Sequence, residues 1–481
     1  MSRTKKLLLF SHVCNKKNIT GAEKLLLFLA TKLAPYFQCV IVVPREGALT
    51  RLAAQSGIRT IVHNIPLLYG MCLPHEGLAQ EAEDVSRGAS FVETSRLLSH
   101  ERPDYVLVNT SVHVIPAVAA KSLAIPVIWH ITEVIANNEY AADSVRIIDQ
   151  YSDCIICISE SAAAPLRGCS SEKLSILYPS WSGKDFNPHL WPKLREQQRL
   201  EWKVGSTAKL IGYISSYLTA EKGADHFIEL ALELAERHEE SRFVVIGGKN
   251  HDSFYSNIRR RVSESVYAGR FIFIDYVLNV ESAYSAMDVV IVPSLKDEGF
   301  GLTAMEAMIL GKPVVAYASG GLEEILRLTG NHPYLARTGN YHELSAKTSA
   351  ILEHPELVES ISDNNRNQIG ACFGPEAYEA NLQTVINKIN SLPIGNVPDY
   401  VTPALHPAAT TPKLKKRRAQ RARRSSPARR PTRTLRRRRK AGNKSRTKRG
   451  SRYLRRTRRV SRNRMGRNRR RNKTRRTSTG R

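Results

Sequence analysis

The sequence predicts an α/β protein built from two parallel-sheet units in tandem, followed by a basic appendage. Three observations support this. Short runs rich in β-branched residues alternate with amphipathic stretches between residues 6 and 390, as strands do when helices cover both faces of a parallel sheet. The alternation breaks once, over 178–205 ("YPSWSGKDFNPHLWPKLREQQRLEWKVG"), where Pro, Trp and charge crowd together, and then starts afresh. Charge divides the chain again, because residues 401–481 hold 35 of the 73 Lys and Arg and no Asp or Glu. That leaves 38 basic against 44 acidic side chains in the first 400 residues, the balance of an ordinary soluble body.

In the first unit, strands are expected at 6–12, 39–44, 60–63, 105–109, 127–130, 154–158 and 174–177, with helices such as 22–33 and 47–55 between them. The second unit repeats the pattern with strands at 210–214, 243–246, 271–274, 289–293 and 314–317. The resulting boundaries are a first domain at 1–178, a connection at 179–205, a second domain at 206–374, a closing helix at 375–392 and a disordered Arg/Lys-rich tail at 393–481. Ligands of open parallel sheets bind at the carboxyl ends of the strands, so two facing sheets imply a cleft between domains.

Seven scattered cysteines suit reduced, cytoplasmic thiols. Cys154 and Cys157 have CxxC spacing but lie in "SDCIICIS", an apolar strand whose odd spacing sends the two thiols to opposite faces. The apolar run 7–10 is too short for a signal peptide core, and no 18-residue apolar stretch occurs.

The chemistry concentrates in "LKDEGFGLTAMEAMILGKP", residues 295–313. A strand runs into a glycine-rich bend where Gly299 and Gly301 allow close backbone approach, and a helix starting near Leu302 offers free N–H groups to phosphate. Glu306, one turn into that helix, repels phosphate but suits a ribose diol, while Glu298 before the bend is placed for a second polyol. The implied ligand is a nucleoside diphosphate sugar. Read alone, both glutamates are equally ordinary solvated charges.

The same stretch resembles the donor signature of the retaining nucleotide-sugar glycosyltransferases of the GT-B fold, family four. The matching residues are Glu298-Gly299-Phe300-Gly301-Leu302 through Glu306, then Gly311-Lys312-Pro313-Val314, flanked by "AMDVVIVPS" (286–294) and "SGGLEEI" (319–325). The resemblance covers roughly residues 5–390. It implies two Rossmann-like domains facing across a cleft, with Glu298 on the donor sugar, Glu306 on the ribose, and the backbone from Phe300 to Leu302 on the diphosphate. It likewise implies that Lys222, in "TAEKGADHF", neutralises the leaving diphosphate, although Ser216 stands where the family usually has an arginine. In the first domain, "NITGAEKLL" resembles the family's glycine-rich loop, which implies that Gly21 approaches the donor, and the resemblance of "IPVIWHITE" implies that His130 lies near the reacting sugar. Thr20 and Glu23 also form a capping-box pattern that needs no ligand.

The resemblance implies an enzyme moving a sugar from a nucleotide-sugar co-substrate to a glycan, lipid or cell-envelope acceptor, with retention, no metal and no other cofactor. Glu298, His130 and Lys222 are its candidate catalytic residues. Two other readings stay open: a polyanion-binding protein with an impaired body, and a sugar-nucleotide epimerase. The tail, 413–481, is too basic and too poor in aliphatic residues to bury a core. Its expected partners are an anionic membrane surface at the inner face, another polyanion, or nucleic acid. Stacking on bases has little support, because Tyr453 is the only aromatic residue after 400.

Overall fold

The computed structural model describes residues 3–249 and 252–395. In the first domain, β1 (Lys6–Phe10), β2 (Gln38–Val43), β3 (Arg59–Val62), β4 (Tyr105–Asn109), β5 (Val127–Ile131), β6 (Cys154–Cys157) and β7 (Leu174–Ile176) form a parallel sheet. Its strand order is β3-β2-β1-β4-β5-β6-β7. The second parallel sheet comprises β8 (Lys209–Leu218), β9 (Ser241–Lys249), β10 (Phe271–Ile274), β11 (Val289–Val292), β12 (Val314–Tyr317) and β13 (Leu335–Ala336). They lie in the order β10-β9-β8-β11-β12-β13. The direction of winding reverses between β1 and β4 and between β8 and β11, so each sheet opens a crevice there at its carboxyl edge.

The strands form where apolar runs are buried on both faces, as in β4, β5, β6, β11 and β12. All seven cysteines are unpaired. Cys157 packs in the core on one side of the first sheet and Cys154 in the core on the other, as the CxxC spacing in a strand requires.

Two expectations are refined. β8 extends past residue 214 because a register shift between Ile214 and Tyr217 lets the strand bend and continue to Leu218. Such bulges re-aim side chains at sites, and Ser215 and Ser216 sit on this one. The connecting stretch contains a helix, Trp191–Glu201, that docks on the second domain. There Arg195 and Arg199 both bind Asp288, at 2.6 and 3.2 Å, while the Trp191 indole donates to Glu281 at 2.6 Å.

After the helix Pro355–Phe373, the chain turns at Gly374 into the helix Pro375–Ser391. Its Tyr378, Leu382, Val385, Ile386 and Ile389 are buried with Leu7, Leu9, Leu26 and Phe37, so the last described helix completes the first domain's core. Among the described residues, no helix is long and apolar enough to cross a membrane. The basic stretch expected to be a disordered tail lies outside the described residues.

Candidate active site in the interdomain cleft

The two crevices face each other across a cleft of about 490 Å³. The β11 strand ends at Val292 and leads through Pro293 and Ser294 to the glutamate-glycine bend, which is tied to the loop after β8 by the Leu295 N–H donating to the Glu221 carbonyl at 2.9 Å. Lys222 thereby meets Glu298: its ammonium lies 2.6 Å from Oε1, and the Ser294 hydroxyl donates to the same oxygen at 2.6 Å. This pair links positions 76 residues apart. Gly299, Gly301, Leu302, Lys222 and Glu298 all line the cleft.

The two glycines are required by different constraints. Gly301 caps the helix Leu302–Ile309 at φ 106°, a left-handed conformation that favours glycine. At Gly299 the constraint is space, since a Cβ there would stand 2.2 Å from the Thr132 carbonyl oxygen of the first domain. Phe300 lines the cleft as well. Its ring, 2% exposed, packs with Tyr178 and Phe373, at centroid distances of 6.1 and 5.2 Å.

Across the cleft, Gly21 opens the helix Gly21–Leu33, and a Cβ on it would lie 3.4 Å from Leu302. Two helix N-termini therefore face one space. The capping box also forms: Thr20 caps the helix and Glu23 returns to the Thr20 N–H at 2.8 Å. The capping reading of this segment is thus seen directly, and Gly21 lines the cleft beside it.

Glu306 is 9% exposed and, unlike Leu302 and Thr303 one turn before it, does not line the cavity. One carboxylate oxygen is ion-paired with Lys24 of the first domain, and the other accepts from the Tyr284 hydroxyl at 3.1 Å. Burial disfavours the Lys24 charge, but the facing Glu306 carboxylate and the nearby Asp185 together more than offset it and raise the lysine pKa. His130 is 3% exposed and sits behind the cleft wall. Its Nδ1 pairs with Asn109 Oδ1 at 2.8 Å, and the Asn109 amide donates to the Ala22 carbonyl at 3.2 Å. Burial lowers the His130 pKa to about 4, so the ring is neutral at physiological pH. That geometry suits bracing the Gly21 helix start more than contacting a sugar, because β5 is buried on both faces and carries the ring into the core.

Several cleft residues escaped the sequence reading. Glu221, Lys296, Thr132 and Glu133 line the cavity. Glu133 is pinned in place, one oxygen accepting from Ser111 N–H and hydroxyl and the other from Thr132 N–H and hydroxyl. Its position at the end of a predicted strand was the available signal. Glu324 of the second domain lies in the "SGGLEEI" stretch, whose resemblance gave it no role of its own. It accepts from the first domain's Glu160 N–H at 2.9 Å, Ser161 N–H and hydroxyl each at 3.0 Å, and Tyr178 hydroxyl at 2.7 Å. Next to it, the Ser159 hydroxyl donates to the Gly299 carbonyl at 2.5 Å. Among the described residues, no cluster of three or more His, Cys, Asp or Glu is arranged to hold a metal ion.

Residues 195–368 match the family model of glycosyl transferases group 1. Over that span the second domain is similar to the glycosyl transferases group 1. The matched span begins inside the docked helix Trp191–Glu201 and ends in Pro355–Phe373, so it covers the donor-side half of the cleft. Among curated relatives, a 2-deoxystreptamine glucosyltransferase of Streptomyces kanamyceticus is 30% identical over 185 residues, 37% of this chain and 46% of the relative. A lipopolysaccharide core biosynthesis mannosyltransferase of Rhizobium leguminosarum is 26% identical over 171 residues, 35% of this chain and 48% of the relative. The chain thus spans about half the length of the curated relatives it matches. The crystal structure of Anabaena HepE in complex with UDP superposes with a TM-score of 0.65 at 18% identity, covering 80% of this chain and 100% of that one. The fold is GT-B.

Proposed function

We propose that the protein is a glycosyltransferase that moves a sugar from a nucleotide-sugar donor to an acceptor hydroxyl, with retention and without a metal. The observation that carries this reading is the Lys222–Glu298 pair at the mouth of the Leu302–Ile309 helix, at the topological switch point of one sheet and facing that of the other. An ammonium on a long stem and helix N–H groups together suit a diphosphate, where charge accumulates as the glycosidic bond breaks. A carboxylate held to the same lysine and to Ser294 is engaged in hydrogen bonding rather than free to attack, and in this reading it orients the sugar hydroxyls.

Transfer then proceeds on one face of the sugar. The anomeric carbon–phosphate oxygen bond breaks, the acceptor oxygen bonds to the anomeric carbon from the same side, and the acceptor proton passes to the departing diphosphate. Lys222 and the helix start at Leu302 stabilise the leaving charge, and the two domains hold the reactants together. Glu306 receives the ribose hydroxyls. The relatives' names, covering glucosyl and mannosyl transfer, support a hexose as the transferred sugar. The unpaired cysteines support a reducing, cytoplasmic setting. For the arginine-rich stretch 413–481 we keep the reading of adhesion to a polyanionic surface, which salt-dependent retention on anionic vesicles tests.

A thermal-shift screen of the full chain against nucleotide sugars tests the donor, since a ligand that binds the folded state raises the melting temperature. Anomeric analysis of the product tests retention. Activity lost with EDTA and restored by manganese would overturn metal independence. Release of an altered nucleotide sugar without any acceptor would replace transfer by epimerisation.

A further inference from the structure

Among the described residues, the cleft lining is short of cations for an anionic donor. Glu133, Glu221, Asp297 and Glu298 line it against two cations, Lys296 and the Glu298-paired Lys222 that the reading above assigns to the diphosphate. A nucleoside diphosphate adds negative charge, and its oxygens are held best by charge-assisted hydrogen bonds. The first-domain helix that faces this space gives little help. Its N-terminus is closed by the Thr20–Glu23 box, and the Glu23 carboxylate in its first turn offsets the positive end of the helix dipole. Ser216, at the β8 bulge, contributes a hydroxyl and no charge.

One cation stands beside this space with an unusual attachment. Lys24 follows Glu23, and both Gly21, one turn before it, and Leu25, immediately after it, line the cleft. Its ammonium crosses to the second domain and rests on Glu306. The Lys24 side chain is 48% exposed, whereas that of Glu306 is 11% exposed, so the lysine is the more exposed partner of the pair. If Glu306 receives the donor ribose, its two oxygens are needed for hydroxyls, and Lys24 occupies one of them.

We propose that Lys24 is a donor-contact residue supplied by the first domain: as the ribose engages Glu306, the Lys24 ammonium passes from that carboxylate to the donor's diphosphate. The inference rests on the donor reading of the cleft given above and adds a residue to it. Two features make the exchange inexpensive. The flexible Lys24 stem carries three rotatable donors, and the ribose hydroxyls replace the ammonium as donors to the Glu306 carboxylate. The first domain would thereby sense the donor through charge, and binding of the nucleotide would tie the two domains together through the ligand rather than through each other.

Calorimetry on the full chain with UDP, GDP and ADP, and with the corresponding nucleosides, tests this in the wild type, Lys24→Gln, Lys24→Arg and Glu306→Gln. Lys24→Gln is expected to weaken the bound diphosphate about tenfold and to flatten its salt dependence while nucleoside binding is unchanged or tighter. Lys24→Arg should recover most of that loss, since it restores a cation for phosphate. Glu306→Gln should instead weaken diphosphate and nucleoside alike. Diphosphate binding by Lys24→Gln equal to wild type would overturn the proposal and leave Lys24 as a plug on Glu306. Failure of all three diphosphates to bind the wild type would overturn the donor reading, and this proposal with it.

Discussion

Two sets of contacts join the domains, and they are built differently. On the hinge side, Glu324 is saturated by four donors from the first domain, two of them backbone N–H groups, beside a packed trio of Tyr178, Phe300 and Phe373. On the cleft side, Lys24–Glu306 uses a half-exposed lysine on a side-chain carboxylate, and Lys222–Glu298 does the same within the second domain. Fixed backbone donors allow one arrangement, whereas long ammonium stems allow several. The hinge side therefore sets the position of the donor bend, through Ser159 on the Gly299 carbonyl, and the cleft side is left able to respond to a ligand.

The largest expected effect comes from breaking the hinge. Glu324→Ala strands three half-buried donors and one exposed N–H and should cost on the order of 3 kcal/mol in the stability of the joined domains. Denaturant unfolding that stays as cooperative and as stable as wild type would contradict that role. Next, Glu306→Ala should weaken donor binding by on the order of 2 kcal/mol, the scale for losing a polar partner in a buried site, while stability changes less than in Glu324→Ala. Calorimetry with the donor checks this, and unchanged affinity would remove Glu306 from the ribose. Gly299→Ala puts a Cβ 2.2 Å from the Thr132 carbonyl, and overpacking of this kind costs about 1–3 kcal/mol. The bend must withdraw from the first domain, so donor affinity should fall with little change in the second domain's own fold. Wild-type affinity in this variant would show that the contact is dispensable.

Acid should produce the smallest and most general effect. His130 and His113 are held neutral by burial, with pKa values lowered to about 4 and about 3. The unfolded chain binds protons at these sites from about pH 6.5 downward while the folded chain does not. Their contribution is therefore complete above pH 6.5 and is lost as pH falls toward 4. Glu101, whose pKa is lowered to about 2 chiefly by its hydrogen bond with Arg59, adds a loss below its ordinary range in the same direction. The melting temperature should decline between pH 6.5 and 4, and His130→Asn should make that decline shallower. A pH-independent melting temperature over this interval would contradict both histidine assignments.

Much of this architecture was legible in the sequence because parallel strands buried on both faces leave a strong local signal. All twelve expected strands form, and the one not expected, β13, has two residues and too few positions to show a pattern. The donor bend was equally legible, since its glycines and glutamates are adjacent in the chain. The connection was read as a linker because Pro, Trp and charge look like one, yet Arg195 and Arg199 fasten it to Asp288 about 90 residues away. Lys24 and Glu306 meet over a separation of 282 residues, and no local pattern records that. The inward turn of His130 was hidden for a different reason: a strand apolar on both faces has no alternation from which to read direction.

The closing helix has a consequence for how the chain is made. Because Pro375–Ser391 supplies part of the first sheet's apolar covering, the second domain is an insertion within the first. During synthesis, the first seven strands emerge with one face incompletely covered and stay so until the last described helix has left the ribosome. The second domain has all of its strands by Ala336 and is free to assemble while its host waits. Truncation before residue 375 should therefore expose the older half of the protein rather than the newer one, with aggregation beginning at the face that Tyr378 and Leu382 would have covered.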